Sequence, residues 1–145
     1  MLIRLSKKQR VQVKRSDEIY VIINDILNKR QAIDRDKEHF LVVGLRTNNT
    51  IKYIDLVSMG SLNGTVVCGR EVFRVAILKS AWGIILIHNH PSNNPEPSEA
   101  DKKITKQMVQ AGECLSIRVI DHIIVTSDCG YFSFLDKGLL KEAYE

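Results

Sequence analysis

The stretch "WGIILIHNHP", residues 82–91, constrains the fold more than any other part of the chain. Its first six residues form an unbroken apolar run, too short for a helix and without the alternation of a half-exposed strand. Such a run suits a central strand covered on both faces. Pro91 has no amide hydrogen to give a ladder, so it stops the strand. A sheet with a strand of this kind needs helices on both sides.

The flanking sequence supplies them. "SDEIYVIINDILNKR", residues 16–30, predicts a helix: Ile19, Ile22, Ile23, Ile26 and Leu27 recur at helical spacing. Ser16 is a candidate N-cap, with Asp17 and Glu18 in the first turn and Lys29 and Arg30 in the last. "RQAIDRDK" reads as a polar connector. "EHFLVVGLRT" (38–47) and "IKYIDLVSMG" (51–60) predict a hairpin across "NNT". "SLNGTVVCG" predicts a turn and a short strand. "REVFRVAILKSA" predicts a helix with Val72, Phe73, Ala76 and Ile77 on one face. A further helix is expected from Ser98 to Ala111, with Gly112 as its C-cap. "SIRVIDHIIVTS" and "YFSF", joined by "DCG", predict a closing hairpin, and "DKGLLKEAY" a short terminal helix. The pattern is one α/β domain with a mixed sheet and helices on both faces.

Composition sets the outer limits. A length of 145 residues suits one domain with one real core. No run reaches the roughly 18–20 apolar residues of a membrane span, and the first residues lack a secretory apolar stretch. A cytosolic protein without membrane contact is the expectation. Cys68, Cys114 and Cys129 are odd in number and far apart, which argues against a disulfide framework or a zinc finger. The net charge is +4, yet residues 1–15 hold six Lys/Arg (Arg4, Lys7, Lys8, Arg10, Lys14, Arg15) and no acid. Removing those six charges leaves −2 for the remainder. The chain therefore reads as a basic arm, 1–15, ahead of a slightly acidic domain, 16–145. The arm can touch phosphates, or serve as a solvated lead-in.

The chemistry concentrates after the central strand. His88 and His90 are two apart, so an extended backbone turns both imidazoles to one face. Two such nitrogens suit zinc, which needs a third protein ligand and an open position to be catalytic. Asp101, in the first turn of the next helix, is a candidate for that place. Ser98 can donate a hydrogen bond to a developing oxyanion. Ser98-x-x-Asp101 also has the form of a capping box, and a His-x-His at a strand end can be structural; capping and catalysis are compatible in one serine. A hydrolase would further need a carboxylate base. The contiguous letters H-N-H are no evidence for an HNH nuclease, whose three residues lie far apart along the chain.

The spacing His-x-His, seven residues, Ser, two residues, Asp is met by His88, His90, Ser98 and Asp101. It is the motif of the JAMM (MPN-plus) metalloproteases. "REVFRVAI", "IILIHNHPSNNPEPSEAD", "VIDHIIVT" and "YFSFLDKGLL" resemble blocks of the RadC-like branch of that family, in the same order, from about residue 16 to 140. The resemblance implies a three-layer α/β/α fold of the cytidine-deaminase-like kind, a bound Zn2+, and hydrolysis of peptide or isopeptide bonds. It implies that His88, His90 and Asp101 are metal ligands, that Glu38 in "KEHF" is the general base, and that Ser98 stabilises the tetrahedral intermediate. Glu71 is the competing carboxylate, but it opens a helix, where an acid is favoured on electrostatic grounds alone. His39 should face away from Glu38. His122, in "DHIIV", reads as a satisfied sheet histidine or a residue behind the site. Arg70 reads as a surface residue.

The chain departs from the RadC-like pattern at Asn93, where the family usually has glycine, and at Cys68-Gly69 ahead of Arg70-Glu71. Longer relatives carry a helix-hairpin-helix-like region before the domain, and with fifteen residues ahead of the first helix the expectation is a chain without it. A peptide or protein substrate is the leading expectation. The alternative is a nucleic-acid-associated repair accessory or nuclease, resting on the basic arm and the family's traditional label; the net negative domain speaks against it. A deaminase would want Cys-x-x-Cys beside His-x-Glu, and neither occurs.

Overall fold

The computed structural model describes residues 1–31, 34, 36–60 and 67–145. Its helices are α1 (Ser16–Asn28), α2 (Gly69–Leu78), α3 (Glu99–Leu115) and α4 (Leu139–Tyr144). Its strands are β1 (Glu38–Leu45), β2 (Ile51–Gly60), β3 (Gly83–Asn89), β4 (Arg118–Val125) and β5 (Tyr131–Ser133). They form one sheet in the order β2-β1-β3-β4-β5. The β3–β4 pair is parallel and the other pairs are antiparallel, so the sheet is mixed, as expected. Most of the expected turn and short strand after β2 lies outside the described residues.

The apolar run is the centre of this sheet. All seven residues of β3 are buried. Their side chains alternate: Ile84 and Leu86 join one core with Phe40, Val42, Val72, Phe73, Met108 and Val109. Ile85 and Ile87 join the other with Leu41, Val43, Ile19, Ile23 and Leu27. Thus α1 covers one face and α2 with α3 the other, because the pleat sends successive apolar side chains to opposite sides. His88 has the parity of Leu86 and so belongs to the α2–α3 face. Among the described residues, no helix is long and apolar enough to cross a membrane.

The basic arm is docked, not loose. Ile3 donates its amide to the Ile54 carbonyl at 2.9 Å, and Ile51 donates to Val11 at 3.0 Å. The arm lies along the outer edge of β2, with Leu5 buried and all six of its basic residues exposed. An exposed edge invites strand pairing by other chains, and this contact covers part of it.

Two expected helix ends lie elsewhere. The residue capping α1 is Arg15, and Ser16 instead meets Tyr131 Oη at 3.1 Å and also bonds Asp136, tying α1 to the β5 turn. Helix α3 runs past Gly112 to Leu115 and ends on Ser116, at φ 57°. Gly112 is there for close approach: a Cβ would lie 2.4 Å from the Ile117 carbonyl oxygen. The chain doubles back so tightly that Ile117 donates its amide to Gly112 at 2.9 Å. Gly112→Ala should destabilise the fold by about 2 kcal/mol, read from chemical denaturation. An unchanged midpoint would show that the turn yields freely.

Asp121 is buried in β4 and holds the turn after β5. It accepts the amides of His122 (2.7 Å) and Leu135 (2.9 Å) and the hydroxyl of Ser133 (2.6 Å). Burial pushes its carboxyl up to about 6, against these hydrogen bonds. The folded protein therefore favours the neutral acid. That stabilisation is complete below the ordinary carboxylate value and is lost as pH rises through about 6. Measured against Asp121→Asn, the wild-type protein should lose up to about 3 kcal/mol between about pH 4 and 7. A difference that does not vary with pH would contradict this.

Candidate metal centre

β3 ends where two neighbours still hold it. His88 pairs with Phe40 of β1, and Asn89 with Val125 of β4. The His90 amide continues to the Val125 carbonyl at 2.9 Å. Pro91 then ends the ladder, and the Asn93 amide returns to the His90 carbonyl at 3.0 Å to close a turn. Asn93 has φ 62°, the left-handed region where glycine is easiest and asparagine is among the better substitutes. Its side chain has a use glycine lacks: Asn93 Oδ1 accepts the Ser127 hydroxyl at 2.8 Å, tethering the loop to the β4–β5 turn.

The loop delivers α3 over the strand end. Ser98 is its N-cap. The Asp101 amide donates to Ser98 Oγ at 3.1 Å, and the Ser98 amide donates to Asp101 Oδ2 at 2.8 Å. The capping box is real, and it aims the Asp101 carboxylate at the two histidines. Asp101 Oδ1 is 3.1 Å from His88 Nε2, and Oδ2 is 3.2 Å from His90 Nε2. The two Nε2 atoms are 2.9 Å apart.

These contacts need a hydrogen or a cation between them. His90 Nδ1 lies 2.7 Å from the Asn94 carbonyl, which can only accept, so the neutral ring turns its Nε2 lone pair inward. Asp101 adds two more acceptors, and His88 Nε2 sits among them. A shared proton or a metal ion must occupy the gap. Burial lowers the His90 pKa, but Asp101 and the Asn94 carbonyl outweigh it and raise the imidazole above its ordinary value. Burial likewise opposes ionisation of Asp101, while His88 and His90 hold its carboxyl far below the usual range. Two imidazole nitrogens beside a carboxylate fit a divalent metal of the zinc type.

Glu38 opens β1 on the same face as Phe40. Its Oε1 is 4.0 Å from His88 Nε2, beside the cluster. Glu38, His88 and His90 together can offer donor atoms to one ion. All five candidate residues, Glu38, His88, His90, Ser98 and Asp101, line one open cleft of about 620 Å³, walled by Phe40, Val67 and Ile104. Ser98 Oγ accepts from Asp101, which leaves its own hydrogen free for a bound group. Glu71 does not line the cleft; it lies 3.9 Å from Arg74 on an exposed turn of α2. Arg70 is exposed at the start of that helix. His39 is wholly buried and hydrogen-bonds its Nδ1 to the Lys37 carbonyl at 2.8 Å.

Two further residues support the site: Asn89, which the sequence left without a role, and His122, which it left as either a satisfied sheet histidine or a residue behind the site. Asn89, between the histidines, turns to the opposite face. Its Nδ2 donates to the Lys37 carbonyl at 3.0 Å, and its Oδ1 accepts the His39 amide. The side chain thus pairs with the peptide groups on either side of Glu38, just beyond the last β1–β3 pair, Phe40 with His88. His122 is wholly buried, and its Nε2 lies 2.9 Å from His88 Nδ1. Burial, then the neighbouring His88, hold the His122 pKa well below the ordinary imidazole value. Neither role has a signal in linear spacing, since both depend on strand register. Asn89→Ala should release the backbone around Glu38 at a cost of about 1–3 kcal/mol, with faster hydrogen exchange at the His39 amide. Unchanged exchange there would remove Asn89 from this role.

The chain is similar to known proteins. The profile of the RadC-like JAB domain matches residues 13–139. A UPF0758 protein of Trichlorobacter lovleyi is 50% identical over 107 residues, covering 74% of this chain and 46% of that protein. One from Caldanaerobacter subterraneus is 45% identical over 117 residues, covering 81% and 49%. One from Desulforamulus reducens is 47% identical over 107 residues, covering 74% and 47%. The chain spans about half the length of these curated relatives.

Proposed function

The chain belongs to the RadC-like JAB domain family, and from that premise we propose that it is a zinc-dependent hydrolase of peptide or isopeptide bonds. The observation that carries the proposal is the convergence of His88, His90 and Asp101 acceptor atoms within 2.9–3.2 Å of one another. Those three side chains would hold the ion. When bound, zinc supplies Lewis acidity that polarises a carbonyl and makes water easier to deprotonate.

The remaining chemistry belongs to the chain. Glu38 takes the proton of the attacking water and passes it to the leaving nitrogen, so that one water and one amide become an acid and an amine. Asn89 holds the backbone of Glu38, which keeps the carboxylate beside the cluster. Ser98 turns its free hydroxyl hydrogen to the carbonyl oxygen as negative charge grows there. Phe40, Val67 and Ile104 offer an apolar wall for a side chain of the substrate.

The test is zinc binding followed by a screen of peptide and isopeptide substrates with the zinc-loaded protein. About one zinc per chain is expected, lost in a His88→Ala/His90→Ala variant. Glu38→Gln should keep zinc within a few-fold of wild type, because His88, His90 and Asp101 would still hold the ion, and lose about 10²–10⁴ in rate. A wild-type chain that binds no zinc after loading, or a fully active Glu38→Gln, would sink the proposal. The first outcome would turn attention to the second reading, nucleic-acid association, which draws on the six exposed basic residues of the docked arm.

A further inference from the structure

His88 has two ring nitrogens, and the cluster works only if the right one is bare. Nε2 faces His90 and Asp101, so its lone pair must point inward and the ring proton must sit on Nδ1. Nothing in the capping box or the loop decides this. The decision comes from the far side of the ring, through a buried relay.

The relay begins at a carbonyl. The Asp101 carbonyl oxygen lies 2.7 Å from Thr105 Oγ1 and can only accept, so the hydroxyl hydrogen points there. Thr105 Oγ1 is then an acceptor toward His122 Nδ1, at 2.5 Å, which must carry the ring proton. The His122 ring is completely buried, stacked on Phe134 at 4.8 Å, with no carboxylate on either nitrogen. A neutral ring is the form such a place accepts. With its proton on Nδ1, His122 presents a bare Nε2 to His88 Nδ1, 2.9 Å away. His88 Nδ1 must donate, and His88 Nε2 is left bare toward the cluster.

We propose that His122, oriented by Thr105, is a positioning residue that fixes His88 in its Nδ1–H tautomer and so preorganises the metal centre. This rests on the reading of His88, His90 and Asp101 as metal ligands. The path is also a closed ring: it leaves His88 of β3, crosses β4 and returns through Thr105 to the backbone of Asp101 on α3. Ligands from two separate elements are thereby joined by hydrogen bonds behind the centre as well as by the ion in front. A histidine ligand usually gives its second N–H to a carboxylate, a carbonyl or water; here the acceptor is a second imidazole whose own tautomer is set by a threonine.

Three variants test this. His122→Phe keeps the ring volume beside Phe134 and removes the acceptor. His122→Gln can place an amide oxygen where Nε2 stands. Thr105→Val keeps the shape of Thr105 and removes the acceptor that orders His122. Two readouts are needed: zinc affinity by chelator competition, and the His88 tautomer in the metal-free protein at fixed pH, from long-range 1H–15N correlation spectra. The wild-type protein should show His88 protonated on Nδ1. His122→Phe should weaken zinc by about ten- to a hundredfold and shift the His88 proton toward Nε2. His122→Gln should restore affinity to within about threefold of wild type. Thr105→Val should fall between them, and it carries the test if His122→Phe does not fold.

Zinc affinity unchanged in folded His122→Phe and Thr105→Val would overturn the inference and leave the metal centre standing. An equal loss in His122→Gln and His122→Phe would also overturn it, since packing alone would explain the effect. A wild-type chain with no zinc affinity removes the proposed function, and the tautomer spectra then judge the relay by themselves: His88 with no proton on Nδ1 in the wild type would overturn it too.

Discussion

Four acceptor atoms meet at the carboxyl end of β3: the Nε2 atoms of His88 and His90 and both carboxylate oxygens of Asp101. Bringing unshared electron pairs so close is unfavourable unless a hydrogen or a cation sits among them. The surrounding structure must therefore hold them together. β3 supplies the rigid base, since it is paired on both edges and buried on both faces. The loop supplies the lever, with Pro91 ending the strand and Asn93 turning the chain so that α3 comes back over the site.

The same few residues do several things at once. Ser98 and Asp101 cap α3, and the capping geometry is what points the carboxylate at the histidines. Capping and the aim of the carboxylate are thus one arrangement. The tripeptide His88-Asn89-His90 divides its work by the pleat. The two histidines face α3, and the asparagine faces the other way to grip the peptide groups flanking Glu38. An HNH tripeptide on a strand is in this chain two imidazoles for the centre and one amide for its neighbouring acid.

Much of the fold is legible in the residues. The apolar run 82–87, the helical spacing of α1 and the hairpin residues around 48–50 identify their elements because each pattern is local. The misread helix ends fail for one reason. Gly112 has the form of a C-cap, yet its lack of a side chain serves the close return of Ile117, a contact invisible until the chain folds back. Ser16 has the form of an N-cap, yet its hydroxyl is drawn to Tyr131 and Asp136, over a hundred residues away.

By itself the sequence determined the identity of the five candidate residues, through a motif whose spacing is short and continuous from His88 to Asp101, with Glu38 added by resemblance. It determined as well that His88 and His90 share a face, since strand periodicity requires it. Only the tertiary structure decided that Glu38 reaches the cluster and Glu71 does not, because that depends on the register of β1 against β3. It also decided what stands behind His88. His122 comes to His88 through the parallel pairing of β3 with β4, and Thr105 comes to His122 through the packing of α3 on that face. Hydrogen bonds between residues so distant in sequence form only once the sheet and its covering helices are assembled, so no local pattern can announce them.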